Sequence, residues 1–161
     1  MRKFIVVSAL ILMMSAFIFG FGIELGAGVN NYLLILNLPT VAAGVNVPIA
    51  GNFSLTGQFD ALFVPISNSF TFMTLGGGRY TFDMKNMKPF VGADGGVLTN
   101  FTSGSAMVPI FGFNGGVQFQ MFYIKGAMRW MSTNTGQPSE EPPSNLLVSL
   151  NELTAGINWA F

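Results

Sequence analysis

The sequence predicts an all-β protein: an eight-stranded antiparallel up-and-down transmembrane β-barrel. Three observations predict it. The chain of 161 residues is 50% hydrophobic but only 9% charged, against about 25% charged in an ordinary soluble domain. Its apolar residues recur at every second position, the period of a strand, in one stretch after another. The charges within those stretches all fall on the face opposite the apolar set. Mean hydropathy of +0.53, with 20 glycines and 17 phenylalanines, suits strands better than helices.

The first segment precedes the barrel. Arg2 and Lys3 are followed by an almost wholly apolar run, Phe4 to Phe19, and by small residues at Gly20 and Gly22. A basic start, an apolar stretch and small residues near a cleavage point are the marks of a secretory signal peptide. Residues 1–20 are read as that signal and residues 21–161 as the barrel domain. The rival reading, an uncleaved anchor, needs about 20 apolar residues, and this stretch is barely long enough.

Eight alternating segments follow in order. Phe21, Ile23, Leu25, Ala27 and Val29 oppose Gly22, Glu24, Gly26, Gly28 and Asn30. Val41 to Ile49 oppose Thr40, Ala42, Gly44 and Asn46, and Phe53 to Ala61 oppose Ser54, Thr56, Gln58 and Asp60. Phe70, Phe72, Tyr80 and Phe82 oppose Thr71, Arg79 and Thr81 across a glycine-rich centre, Gly76 to Gly78. Val91 to Val97 carry Asp94 on their polar side, and Phe111 to Phe119 carry Asn114 and Gln118. Phe122 to Trp130 carry Lys125 and Arg129, and Leu153 to Phe161 carry Glu152, Thr154 and Asn158. Residues 21–161 thus give roughly 18 residues per strand with its connection, against about 9–11 for a membrane strand.

Connections are expected to alternate. Residues 50–52, 83–88 and 120–121 read as short. Residues 31–38, 64–69, 98–108 and 132–145 read as mostly longer. Short turns on the periplasmic side and longer loops outside are the habit of outer-membrane barrels. The segment 32–38 (YLLILNL) fits least well; it either extends the flanking strands or folds over as an apolar cap. Pro39, Pro48 and Pro109, together with period two, argue against a polytopic helical protein.

Charge placement sets the faces. Glu24, Asp60, Arg79, Asp94, Lys125, Arg129 and Glu152 lie on polar faces, Asp83, Lys85 and Lys88 in one turn, and Glu140 and Glu141 in the last connection. A basic residue facing lipid at mid-bilayer costs about 2–4 kcal/mol. Polar faces this poor in charge could not solubilise an exterior, which disfavours a soluble lipocalin-like carrier, but they suit a narrow lumen. There charge is tolerable only when paired, so the seven lumen residues are expected to form an ion-pair network. Arg79 with Asp94 and Arg129 with Glu152, on neighbouring strands, are the expected pairs. Aromatic residues near the strand ends, Phe53 and Trp159 at one end and Phe70 and Trp130 at the other, suit two interfacial girdles.

Two segments carry a family resemblance. KPFVGADGGV (88–97) is similar to the Lys-Pro-Tyr-Val-Gly-Ala-Gly strand of the OmpA/OmpX-like outer-membrane barrels, with Asp94 where that group often has glycine. The C-terminus, with Thr154, Gly156, Trp159 and a terminal Phe161, resembles the signal read by the barrel assembly machinery. The resemblance covers 21–161 and implies the fold, an outer-membrane location and outer-membrane lipid as a partner. It specifies function poorly, since one such fold hosts structural, adhesive and enzymatic proteins.

Several function classes are excluded or disfavoured. Lys+Arg 7 and Asp+Glu 7 cancel, so there is no basic footprint for nucleic acid. The absence of cysteine and histidine removes disulfides, thiolate metal sites and the usual general base. Gly76 to Gly78 lack the Lys-Ser/Thr of a phosphate loop, and the acids each have a plausible cation. The reading is therefore non-enzymatic, without cofactor or metal. It is an integral outer-membrane barrel with a filled lumen and a structural or surface-interaction role through its loops. Narrow or oligomeric porin-like transport of small or apolar solutes is the alternative.

Overall fold

The computed structural model describes residues 20–32, 36–100, 107–134 and 145–161. All of the expected signal peptide except Gly20 lies outside them. Eight strands run in chain order: β1 (Gly22–Tyr32), β2 (Leu36–Ala50), β3 (Phe53–Val64), β4 (Ser69–Thr81), β5 (Lys88–Asn100), β6 (Met107–Phe119), β7 (Phe122–Asn134) and β8 (Asn145–Ala160). Each pairs antiparallel with the next, and β8 pairs with β1, so the sheet closes. Period-two alternation and the wealth of Phe, Val and Ile make these segments strands. Closure leaves no strand edge unpaired, the condition for crossing hydrocarbon with a sheet.

The register fixes the barrel's width. A ladder followed from Gly22 passes Asn46, Thr56, Gly77, Asp94, Gly112, Arg129 and Leu150, and returns to β1 at Tyr32. The stagger is thus the step from residue 22 to residue 32, which for eight strands means a tilt of roughly 40°. A barrel of this size has an interior that side chains just fill.

The two faces sort as the alternation requires. Leu25, Val41, Leu55, Phe59, Phe113, Ile124 and Leu153 are exposed on the outer surface. Glu24, Asp60, Arg79, Lys125, Arg129 and Glu152 are buried. Aromatic rings pack along the outside: Phe59 stacks on Phe72 at 5.6 Å, while Phe63 meets Phe70 at 5.4 Å and Phe111 meets Trp130 at 6.1 Å with their rings tilted. At the other end Phe21 stacks on Phe161 at 5.1 Å, where the chain closes on itself.

Glycine makes room where large side chains cross the lumen. A Cβ on Gly112 would stand 2.2 Å from the Met128 carbonyl oxygen and 2.8 Å from Arg129 Cγ. One on Gly77 would stand 2.2 Å from the Ala93 carbonyl oxygen. In the two-residue turn after β2, Gly51 takes φ +53°, which a residue without a side chain adopts freely.

In the segment 32–38, Tyr32 extends β1 and Leu36–Leu38 extend β2, the first of the two expected readings, and residues 33–35 lie outside the described residues. Two expectations are corrected. The short–long alternation is kept only in part. On the long side, residues 33–35 and 65–68 are brief connections, and on the short side 82–87 is longer than its neighbours 51–52 and 120–121. The strands simply run further than their apolar faces suggested, β8 beginning at Asn145. Finally, not every large apolar residue faces outward. At the long-connection end the lumen is lined by Leu38, Leu62, Met73, Leu75, Ile110, Met131, Val148 and Leu150, because there both faces of the strands are apolar.

Trp130 and Trp159, the two tryptophans of the chain, sit on the outer face near opposite ends. In vesicles whose acyl chains are brominated near the headgroup, both should be strongly quenched. Full emission from either would contradict this orientation. Gly112→Val should destabilise the barrel by about 1–3 kcal/mol through overpacking, read as a lower urea midpoint in detergent.

Candidate functional site in the barrel lumen

The inward residues at mid-barrel form one connected polar network. Arg129, on β7, donates from Nε to Asp94 Oδ1 at 2.9 Å and from Nη2 to Asp94 Oδ2 at 3.0 Å. Its remaining terminal nitrogen, Nη1, donates to Glu152 Oε2 on β8. Lys125, four residues before Arg129 on the same face, pairs with the other Glu152 oxygen at 3.0 Å and also donates to Gln58 Oε1 on β3. Gln58 in turn donates to both oxygens of Asp60 at 2.7 Å. Asn114 donates to Asp94 at 2.8 Å, and Thr154 Oγ1 to Glu152 at 2.6 Å. The side chains of Arg129 and Glu152 are wholly shielded from solvent.

A second cluster lies nearer the short-turn end. Arg79 on β4 grips Glu24 on β1 with both terminal nitrogens, Nη2 to Oε2 at 3.1 Å. Asn158 Nδ2 donates to Glu24 Oε1 at 3.2 Å. The Arg79 guanidinium also lies 4.2 Å from the centre of the Phe90 ring, a cation–π contact. Two-pronged arginine–carboxylate pairs of this kind are the strong, geometrically specific ones.

These links cross the barrel. Lys125 to Gln58 joins β7 to β3 on the far side, and Arg79 to Glu24 joins β4 to β1. Between the clusters lies a cavity of about 10 Å³, bounded by Glu24, Gln58, Arg79, Asp94 and Asn114 among others, room for about one water.

The pairing differs in part from the neighbour-strand expectation. Arg79 reaches across to Glu24 and not to Asp94, which Arg129 takes instead. The stagger explains this: Arg79 faces Gly92 in register, and a long side chain in a narrow lumen finds its partner across the axis. Asp60, fully buried, meets no cation within ion-pair distance among the described residues and is held by Gln58. Gln58, Asn114, Asn158 and Phe90 were not singled out from the sequence as members of this cluster. Gln58, Asn114 and Asn158 sat on the polar faces, at the depth of the charges, and Phe90 shares the parity of Asp94. Of the terminal residues, Thr154 is buried in the network, Trp159 faces outward on the strand that closes the barrel, and Phe161, just past its end, is exposed.

Arg129→Ala strands the Asp94 and Glu152 carboxylates in the lumen and should cost about 3–5 kcal/mol. The triple variant Arg129→Ala/Asp94→Asn/Glu152→Gln should recover part of that loss. Urea unfolding in detergent, followed by gel mobility of unheated samples, checks both. A wild-type midpoint for Arg129→Ala would mean the network bears no weight.

No protein-family model matches the sequence, and no characterised protein matches it by sequence. Solved structures do match the fold. Neisserial surface protein A aligns over 88% of this chain and 96% of its own, at 13% identity and a TM-score of 0.60. The N-terminal β-barrel domain of Pseudomonas aeruginosa OprF aligns over 86% and 97%, at 14% identity and 0.54. The outer-membrane enzyme PagL aligns over 85% and 97%, at 14% identity and 0.53. The fold is that of the OmpA/OmpX-like eight-stranded transmembrane barrels.

Proposed function

We propose that the protein is an integral outer-membrane barrel with a sealed lumen, serving the envelope as a rigid element that presents its loops at the cell surface. The observation that carries this reading is the cross-lumen network. Arg79–Glu24 and Lys125–Gln58 tie strands across the lumen, with a cavity of about 10 Å³ between the two clusters. The apolar outer surface supports insertion, since exposing Leu, Val and Phe around a whole barrel to water would be prohibitive. Export by a cleaved signal over residues 1–20 belongs to the same reading, as does recognition of Thr154, Gly156, Trp159 and Phe161 by the barrel assembly machinery.

The reading is non-enzymatic. PagL, which shares the fold, is an enzyme, so the fold leaves catalysis open. What favours a structural role is that Glu24, Asp94 and Glu152 are each held by a cation. Asp60 is capped by an amide, and the chain has no histidine to act as a base. Porin-like transport is the runner-up, and the same network opposes it, because a solute would have to break charged pairs to pass.

Planar-bilayer recording separates the two. The wild-type protein should give no steady conductance. Arg79→Ala/Arg129→Ala, which removes one arm from each cluster, should give small, frequent openings if it folds. Large steady wild-type channels would overturn the sealed-lumen reading.

A further inference from the structure

Above the network the lumen changes character. The residues that point inward at the long-connection end are aliphatic. Leu62, Met73, Ile110 and Leu150 are packed together, with Tyr32, Leu36, Val64, Leu98 and Val108 half-buried against them. The packing is incomplete. A cavity of about 300 Å³ stands above the packed layer, walled by Leu36, Leu38, Leu62, Val64, Leu98 and Met131, among others. Among the described residues no charged side chain lines it, and Tyr32 and Thr71 are its polar side chains. Its floor is closed, because the charge network lies below.

We propose that this cup is a binding site for an unbranched aliphatic chain, such as the tail of a monoacyl amphiphile or of a membrane lipid. Three features select that chemistry. The wall is almost purely hydrocarbon, and an apolar cavity holds water poorly. A cavity of about 150 Å³ takes one benzene, so this one takes roughly a dozen carbons. The cup is also blind and lies inside a narrow tilted barrel, which suits a chain entering end-on with its polar head left at the mouth. Filling the void would be simpler if stability alone mattered, since each buried methylene adds about 0.8 kcal/mol.

The test uses the mature protein in lipid nanodiscs with carbon-13-labelled methionine methyls. Met131 lines the cup, while Met107 and Met128 face outward. On titration with sodium decanoate, the Met131 signal should shift and saturate, while Met107 and Met128 drift without saturating as decanoate enters the bilayer. If a lipid tail already occupies the cup, Met131 should instead show cross-relaxation to acyl methylenes before any addition, lost in discs of acyl-deuterated lipid. Val64→Trp and, separately, Leu98→Phe should abolish either response while unheated gel mobility reports a folded barrel. A Met131 signal that neither saturates with decanoate nor contacts lipid methylenes would overturn the proposal.

Discussion

Everything in this molecule follows from closing a hydrogen-bonded sheet on itself at a fixed stagger. In hydrocarbon a backbone amide without a partner costs several kcal/mol, so β8 must meet β1, and the ladder that joins Gly22 to Tyr32 sets how steeply the strands tilt. Tilt and strand number leave a lumen about as wide as the side chains that enter it. That narrowness lets Arg79 and Lys125 reach across the lumen to Glu24 and Gln58. It also makes glycine necessary at Gly77 and Gly112, where any side chain would meet the neighbouring strand. The ion pairs are a result of the closure as much as a support for it.

The lumen is built in two unlike halves. Toward the short turns it is polar and tied by charge; toward the long connections it is aliphatic. A buried carboxylate demands a partner with directed hydrogen bonds, and the lower half supplies them from β3, β4, β6, β7 and β8. Aliphatic side chains demand only contact, and the upper half has enough of them to form a layer but not to fill the space.

The fold was largely legible in the sequence because alternation states, residue by residue, which side meets lipid. Phe53, Leu55 and Phe59 against Ser54, Gln58 and Asp60 is as plain a strand as a sequence contains. Legibility failed where alternation itself failed. Around Leu62, Met73 and Ile110 both faces are apolar, so period two vanishes although the strands continue. The membership of the charge network was readable from parity and depth. The partners were not, because partner choice depends on the stagger, and stagger is a property of the closed ladder and of no single segment. Gln58 shows the same limit: an uncharged amide draws little attention in a sequence, yet here it links Lys125 to Asp60.

The shortness of one connection has its own geometric outcome. Between β3 and β4 the described connection holds residues 65–68 alone, with Asn68 at φ 47°. So short a tie gives the two strand ends almost no play against each other. A peptide grafted between Pro65 and Asn68 would therefore inherit the stiffness of the sheet that carries it.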